Sequence, residues 1–258
     1  MKKKLKSLVS LLKKKPLFFI IIGIIGLGIH PILYVKGYSL LSASTTVVMF
    51  YTYPIMMILL SSILFKDKLS FGSVISVLVG FIGVFILVTN GNLSGFTLNV
   101  GTILTLLAAF CWALFSIIIK YKKVDVDIGM FLFNLFGFLF LCGMIPFFGV
   151  TFSIGIKPLL GLIYLGVFPT AIALLIWNKS LHLVSTSTCS NIALLTPVLS
   201  IILIFVVLGD LLIFSQLIGM VIVLGSVMLN MNIKRTLTVF NRYYSKTRLF
   251  NLTNLSHK

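Results

Sequence analysis

Acidic side chains are the scarcest feature of this sequence. Its 258 residues contain four aspartates and no glutamate. Only 10% of the residues are charged, whereas soluble domains carry about 25% charged residues. Hydrophobic residues make up 59% of the chain, so the composition excludes a soluble globular domain. The shortage of carboxylates also argues against an enzyme.

Motifs for metal, cofactor and nucleic-acid binding are sparse too. The three cysteines lie inside apolar runs and lack the spacing of a metal site, so we expect neither a disulfide framework nor a metal centre. The three histidines form no HExxH motif, and no cofactor is expected. The net charge of +17 lies in clusters between apolar runs, which is typical of loops at an anionic membrane surface. Nucleic acid is therefore not an expected partner.

The chain does contain a series of long apolar runs, each bounded by lysine, aspartate, asparagine, proline or serine residues. Each run is about 20 residues long, which is the length that crosses a bilayer as a helix, and none alternates as a membrane β-barrel strand does. The runs predict an all-α integral membrane protein with about eight transmembrane helices. The predicted helices are Leu17–Val35, Thr45–Phe65, Phe71–Thr89, Val100–Ile119, Ile128–Gly149, Pro158–Trp177, Thr186–Leu208 and Phe214–Met231.

Lysines and arginines are distributed unevenly among the predicted loops. If the N terminus is cytoplasmic, all of them except Lys36 and Lys157 fall on the cytoplasmic side, as the positive-inside rule requires. Residues 1–16 and 233–258 are then basic cytoplasmic segments on either side of the membrane region. We expect a protein of the plasma or inner membrane, surrounded by the lipid bilayer, with both termini in the cytoplasm.

The membrane region contains an internal repeat. A shift of 143 residues aligns Lys36–Asn90 with Lys179–Ile233 without a gap and places Pro54 on Pro197. The shift moves the second predicted helix onto the seventh, and an odd number of crossings reverses the direction across the membrane. The repeats are therefore inverted. Inverted repeats are the architecture of secondary transporters, whose two halves surround a site near the bilayer midplane.

Both copies of the repeat resemble a known family. The segment LLSASTTVVMFYTYPIMMILLSSILFKDKLSFGSVISVLVGFIGVFIL and its counterpart LHLVSTSTCSNIALLTPVLSIILIFVVLGDLLIFSQLIGMVIVLGSVML share a small-residue cluster, a mid-helix proline, an acidic turn and a glycine-containing helix. This pattern is similar to the EamA repeat of the drug/metabolite transporter superfamily. The resemblance implies a 5+5 helix arrangement, in which residues 17–90 form an incomplete first repeat of three helices and 99–232 a second repeat of five. We expect the two opening helices of the first repeat to be absent.

The resemblance also implies a function. It predicts a carrier that moves a small metabolite or drug-like solute across the membrane by alternating access. Because no intramembrane glutamate is present to couple cation export to protons, a neutral or zwitterionic metabolite is favoured. The alternative is an N-terminally truncated, non-transporting membrane protein that acts as a partner subunit or is a remnant. In that alternative the first three helices would leave an uncovered face, which should either drive formation of a homodimer or lower the stability.

Polar or ring-bearing residues within the predicted spans are the candidates for substrate binding, because a polar group in lipid needs a partner. Two of them directly precede the paired prolines, a third lies over one turn earlier in the seventh helix, and His30 is a titratable group inside a span. The candidates are Tyr53, Asn191, Thr196, His30, Trp112 and Asn178.

Two further residue pairs, related by the repeat, are expected to shape the helices. Pro54 and Pro197 remove a backbone hydrogen bond near the midplane, so they should kink their helices and expose carbonyl groups to a cavity. Asp67 and Asp210 are expected to lie in turns and to cap the following helices at the membrane surface.

Overall fold

A computed structural model describes residues 10, 12–13, 15–67, 70–92, 98–122, 125–148, 155–209 and 212–230. Within these ranges the chain is almost entirely helical and contains no strand, which confirms the predicted all-α architecture. The first seven long helices are apolar enough to cross a membrane, and the eighth is a shorter apolar helix. They are α1 (Pro16–Leu40, with a π-helical segment at Ile24–Ile29), α2 (Ala43–Phe65), α3 (Phe71–Thr89), α4 (Val100–Tyr121), α5 (Val126–Phe148), α6 (Ile156–Leu183, with a π-helical segment at Gly166–Ala173), α7 (Thr186–Val207) and α8 (Phe214–Asn230).

Serine and asparagine side chains begin four of these helices. Ser42, Ser70, Asn99 and Ser185 each accept a hydrogen bond from the backbone N–H three residues later. Such N-caps satisfy donors that have no partner inside the helix. Asp67 was predicted to cap α3, but the N-cap of that helix is Ser70. Asp67 lies in the turn between α2 and α3.

Contacts between helix ends show how the chain crosses back and forth. We define end 1 as the end of the bundle at which α1, α3, α5 and α7 begin, and end 2 as the opposite end. At end 1, Phe19 packs on Phe133 with ring centroids 5.4 Å apart, and the Ser73 hydroxyl donates to Asn230 over 3.3 Å. At end 2, Gly37 lies against the first turns of α4. The start of α1 and the end of α8 therefore lie at the same end.

The internal repeat is visible in the backbone geometry. The two π-helical segments occupy corresponding positions of α1 and α6. Helices α2 and α7 are both interrupted in their first half, after Phe50 and after Ala193. Both are followed by a residue in the left-handed conformation, Lys66 (φ 53°) and Gly209 (φ 75°). Each pair is related by the 143-residue shift, so the two segments build the same local structure twice.

Helices α3 and α8 join the two halves of the repeat through glycines. A methyl group added at Gly83 would lie 3.0 Å from the Gly219 carbonyl oxygen, and one added at Gly219 would lie 2.8 Å from the Gly83 carbonyl oxygen. The two backbones are thus in direct contact, as small residues allow between membrane helices. Leu87 and Val223 are fully buried on either side of this contact.

Helix α6 is the least buried of the long helices. None of its residues from Ile156 to Ala173 is buried, and only the part from Leu174 onward packs against α4 and α5. The 143-residue shift maps the uncovered stretch onto the first part of α1, which does pack against α4 and α5. The described chain therefore covers one copy of this helix and leaves the other open.

Candidate substrate site

A group of ring-bearing side chains lies between α1, α2 and α4, and we call it the ring cluster. The π-helical segment of α1 ends immediately before the first of these rings, and the interruption of α2 falls among them. The members of the ring cluster are His30, Tyr34, Phe50, Tyr51, Tyr53 and Trp112.

The rings of this cluster are in mutual contact. The His30 ring centroid lies 5.2 Å from that of Trp112 and 5.5 Å from that of Phe50. Phe50 in turn lies 4.8 Å from Tyr34 and 5.3 Å from Tyr53. Tyr53 is 7% exposed, whereas the other rings are half-buried and keep accessible faces. The cluster can therefore hold an apolar or planar group by stacking.

His30 provides a polar atom within these rings. Its imidazole approaches the backbone of Gly26, one turn earlier, and its Nε2 atom is buried without a hydrogen-bond partner among the described residues. A buried polar atom without a partner costs about 1–3 kcal/mol. A bound solute that offers a donor would remove this cost.

The candidate Asn178 and its neighbour Trp177 lie in the packed part of α6. Trp177, which precedes Asn178, donates its indole N–H to the Ser116 hydroxyl over 3.3 Å and packs on the same buried cluster as Trp112. Asn178 is fully buried, and its Nδ2 atom donates to the Leu174 carbonyl over 2.7 Å. Its Oδ1 atom has no partner among the described residues.

Asn191 forms a hydrogen bond that joins the two halves of the repeat. Its Oδ1 atom accepts from the Ser76 hydroxyl over 2.9 Å, and its Nδ2 atom donates to the Ser187 carbonyl over 3.0 Å. Both ends of the amide therefore have protein partners. Thr196 lies beyond the interruption of α7, is exposed, and its side chain approaches the hydroxyl of Tyr51 in the ring cluster.

The paired prolines follow the helix interruptions directly. Pro54 lies in the first turn after the break in α2, where Thr52 is the N-cap, and Pro197 lies in the first turn after the break at Leu194. A proline in the first turn of a helix loses no intrahelical hydrogen bond, because those N–H groups have no helical partner. Both helices are thus interrupted just before their prolines, without the predicted loss of a hydrogen bond, and the exposure of carbonyl groups to a cavity stays a prediction.

Asp67 connects three helices at end 1. Its Oδ2 atom accepts hydrogen bonds from the hydroxyl of Tyr121 in α4 and, over 3.1 Å, from that of Thr186 in α7. Tyr121 was not a candidate in the sequence, because a tyrosine at a helix end is typical of an interfacial anchor. Asp210, the counterpart of Asp67 in the repeat, lies outside the described residues.

The structure brings half of the six candidates together. Tyr53, His30 and Trp112 lie in the ring cluster, and Thr196 contacts it, whereas the two asparagines are buried between other helices.

Sequence reasoning missed Phe50, although the run FYTYP, with three rings in four residues before a proline, was a usable signal. In the described ranges no group of three histidine, cysteine or aspartate side chains could hold a metal ion.

Several known proteins are similar to this chain. An uncharacterized transporter of Clostridium kluyveri is 26% identical over 80% of this chain and 69% of its own length. The uncharacterized transporter YyaM of Bacillus subtilis is 24% identical over 84% of this chain and 73% of its own length. An uncharacterized transporter in the sor 3' region of Acidianus ambivalens is 28% identical over 64% of each protein, so the match spans less than two-thirds of that relative.

A solved crystal structure and a family model extend these similarities. The crystal structure covers 84% of this chain and 77% of its own with a TM-score of 0.72, and its 20% identity limits the similarity to the fold. The model of the EamA-like transporter family matches residues 2–89 and 99–232, which include both copies of the repeat and confirm the resemblance seen in the sequence. The chain therefore belongs to the EamA-like transporter family and is a membrane transporter.

Proposed function

We propose that this transporter moves a small neutral or zwitterionic metabolite or drug-like solute by alternating access and binds it at the ring cluster. The observation that carries the proposal is the Nε2 atom of His30, which has no hydrogen-bond partner in the described part of the chain and lies among half-buried aromatic rings. A solute with a planar or apolar part can stack on Trp112 and Phe50, while its N–H or O–H group donates to Nε2.

Charge around the ring cluster supports this choice of solute. The described aspartates are Asp67, Asp125 and Asp127, and all three lie at end 1, in the turns before α3 and α5 or in the first turn of α5. No lysine is a member of the ring cluster. A cation would find no carboxylate there and an anion no ammonium group, and an unpaired charge within the membrane is costly.

Alternating access is supported by the difference in burial between the two ends of α7. Its first turns, Thr186–Asn191, are buried at end 1, whereas its last turns, 202–207, are exposed. The hydrogen bonds from Ser73 to Asn230 and from Ser76 to Asn191, which join the two halves, also lie toward end 1. A carrier that is closed at one end and open at the other has this arrangement.

We also propose that end 1 faces the cytoplasm and that the protein lies in the plasma or inner membrane. All described lysines except Lys36 and Lys157 lie near end 1, as expected for the cytoplasmic side. In intact cells, with the native cysteines changed to serine, an impermeant maleimide should label Asn92→Cys at end 2 and leave Lys122→Cys at end 1 unlabelled. The reverse pattern would contradict this orientation.

The two tryptophans of the chain make the proposed site observable. Trp112 belongs to the ring cluster, Trp177 lies near it, and the sequence has no other tryptophan. In a Trp177→Phe variant, fluorescence therefore reports on Trp112 alone. We expect saturable quenching by at least one member of a panel of nucleosides and zwitterionic amino acids, and none by benzoate or tetraphenylphosphonium.

A variant of His30 tests whether the ring nitrogen takes part in binding. His30→Phe keeps a ring and removes Nε2, so it should weaken binding of the quenching solute about tenfold, the effect of one hydrogen bond. His182→Phe, the same change at an exposed histidine of α6, is the matched control and should bind normally. The absence of saturable quenching by every neutral or zwitterionic probe, or saturation by tetraphenylphosphonium, contradicts the proposed site.

Uptake into proteoliposomes then tests transport of the solute found by quenching. The double variant Asn191→Ala with Thr196→Val should reduce uptake without reducing membrane insertion, because the two residues contact Ser76 in α3 and Tyr51 in the ring cluster. Unchanged uptake would remove α7 from the proposed transport mechanism.

The uncovered stretch of α6 leads us to propose a homodimer in which Ile156–Ala173 packs against the same stretch of a second copy. Among the described residues, Gly161 and Gly166 have no neighbour within 4 Å of an added methyl group, which leaves room for close approach of another helix. In a cysteine-free background, Gly161→Cys should form disulfide-linked dimers in membranes, whereas Gly72→Cys, an equally open glycine in α3, should not. A monomeric mass in lipid nanodiscs would contradict the dimer.

A further inference from the structure

Polar contacts at end 1 form one connected group, which we call the end 1 latch. The Asp67 carboxylate accepts hydrogen bonds from the hydroxyls of Tyr121 and Thr186, and these two hydroxyls lie 3.2 Å apart. Phe65 stacks on the Tyr121 ring with centroids 4.4 Å apart. Phe65 and Asp67 belong to the first half of the repeat, and the other two residues belong to the second. The latch therefore ties the two halves together.

Lys120 extends the latch to α6. Its ammonium group donates hydrogen bonds to the carbonyls of Leu181 and Val184, where α6 ends. Carbonyls at a helix end have no partner inside the helix, and a cation there also interacts favourably with the helix dipole. Two successive residues of α4, Lys120 and Tyr121, thus hold the ends of α2 and α6 and the start of α7.

We propose that the end 1 latch is the gate that closes end 1, and that it must separate before solute can pass there. The proposal rests on the alternating access proposed above, because in that mechanism the two halves part at end 1 in the opposite state. Hydrogen bonds from two neutral hydroxyls to one carboxylate suit a gate, since water can replace them when the halves separate.

Cys189 provides a native reporter for this gate. It lies one turn after Thr186, is 2% exposed, and its thiol faces the Ser180 carbonyl over 3.9 Å. The first turns of α7 pack against α2 and touch α6, so a maleimide reaches this thiol only when α7 moves away from them. With Cys111 and Cys142 changed to serine, the labelling rate of Cys189 measures the opening of end 1.

The test compares labelling rates of the full chain in lipid nanodiscs, with N-ethylmaleimide as the probe and intact mass as the readout. Tyr121→Phe removes the hydroxyl and keeps the ring that stacks on Phe65. We expect Cys189 to be labelled about tenfold faster, which is the change produced by losing one hydrogen bond to a charged group. Tyr38→Phe, at a tyrosine that is 50% exposed in the end 2 part of α1, should leave the rate unchanged.

A second pair of variants controls for a folding defect in Tyr121→Phe. Thr186→Val removes the other hydroxyl and should also accelerate labelling, whereas Thr186→Ser keeps a hydroxyl and should label at the original rate. If Tyr121→Phe does not purify as a folded protein, this pair answers the question alone. An unchanged rate in the hydroxyl-deleting variants, or an equal rise in Tyr38→Phe, overturns the latch.

Labelling requires no transported solute, so the latch and the proposed function can fail separately. Faster labelling of Cys189 in the latch variants, without binding of any probe at the ring cluster, supports the latch and contradicts the proposed site. Solute transport combined with an unchanged labelling rate overturns the latch alone.

Discussion

The glycine contact between α3 and α8 allows a prediction about stability that can be worked out from distances. In Gly219→Ala, the added methyl would lie 2.7 Å from the Leu87 backbone nitrogen and 2.8 Å from the Gly83 carbonyl oxygen. Both neighbours are backbone atoms that cannot turn aside as a flexible side chain can. The two helices must therefore move apart, and overpacking of this kind costs about 1–3 kcal/mol.

The same helix offers a matched control for this substitution. Gly225 also lies in α8, but a methyl added there would have no neighbour within 4 Å, so Gly225→Ala changes helix propensity without a clash. Alanine is favoured over glycine in a helix by about 0.8–1 kcal/mol, and this gain is common to both variants. The difference between the two variants therefore isolates the helix contact, and Gly219→Ala should be less stable than Gly225→Ala by about 1–3 kcal/mol.

The assay is the fraction of protein that stays monodisperse after heating in detergent, measured for both variants and for the unchanged chain. We expect the midpoint of Gly219→Ala to lie several degrees below that of Gly225→Ala, since about 1 kcal/mol shifts the midpoint of a chain of this size by about 2–4 °C. Equal midpoints, or a higher one for Gly219→Ala, would refute the close approach of α3 and α8.

Three further substitutions test individual contacts with the same heating assay. Ser42→Ala removes the N-cap of α2 and should cost about 1 kcal/mol, and a midpoint equal to that of the unchanged chain would contradict the cap. Ser76→Ala leaves the buried Oδ1 atom of Asn191 without its donor and should cost about 1–3 kcal/mol, so a neutral result would show that this bond does not hold the two halves. Lys179→Gln breaks an exposed ion pair with Asp127 and should change stability by less than about 1 kcal/mol, so a large loss would mean that the pair is not solvated as described.

Most of the fold was predictable, because in a membrane the length and apolarity of a segment decide whether it forms a spanning helix. The predicted and observed bounds of Phe71–Thr89 are identical, and Val100–Ile119 ends two residues before the observed helix. Larger differences arise in α1 and α6, whose observed ends at Leu40 and Leu183 extend beyond the predicted ones. There lysine, serine or histidine lowers the apolarity although the backbone continues as a helix.

The candidate site was predictable only in part. His30 and Tyr53 could be found, because a polar or phenolic group in a span needs a partner and so signals a site or a contact. Phe50 has no polar group, yet its ring contacts the rings of His30 and Tyr53. Asn191, like His30, is a polar residue within a predicted span, but its amide already forms hydrogen bonds with Ser76 and Ser187. Residue type alone does not distinguish a ligand-binding amide from one that joins helices.

The sequence by itself determined the class of protein, the number and approximate bounds of the helices, and the inverted repeat, because these depend on local apolarity and on residues compared at a constant spacing. Only the tertiary structure decided that Asp67 meets Tyr121 and Thr186, and that the first part of α6 stays uncovered. The physical reason is that a hydrogen bond between residues 54 or 119 positions apart depends on how whole helices pack. That packing is set by the combined shape of many side chains, which no single segment of sequence contains.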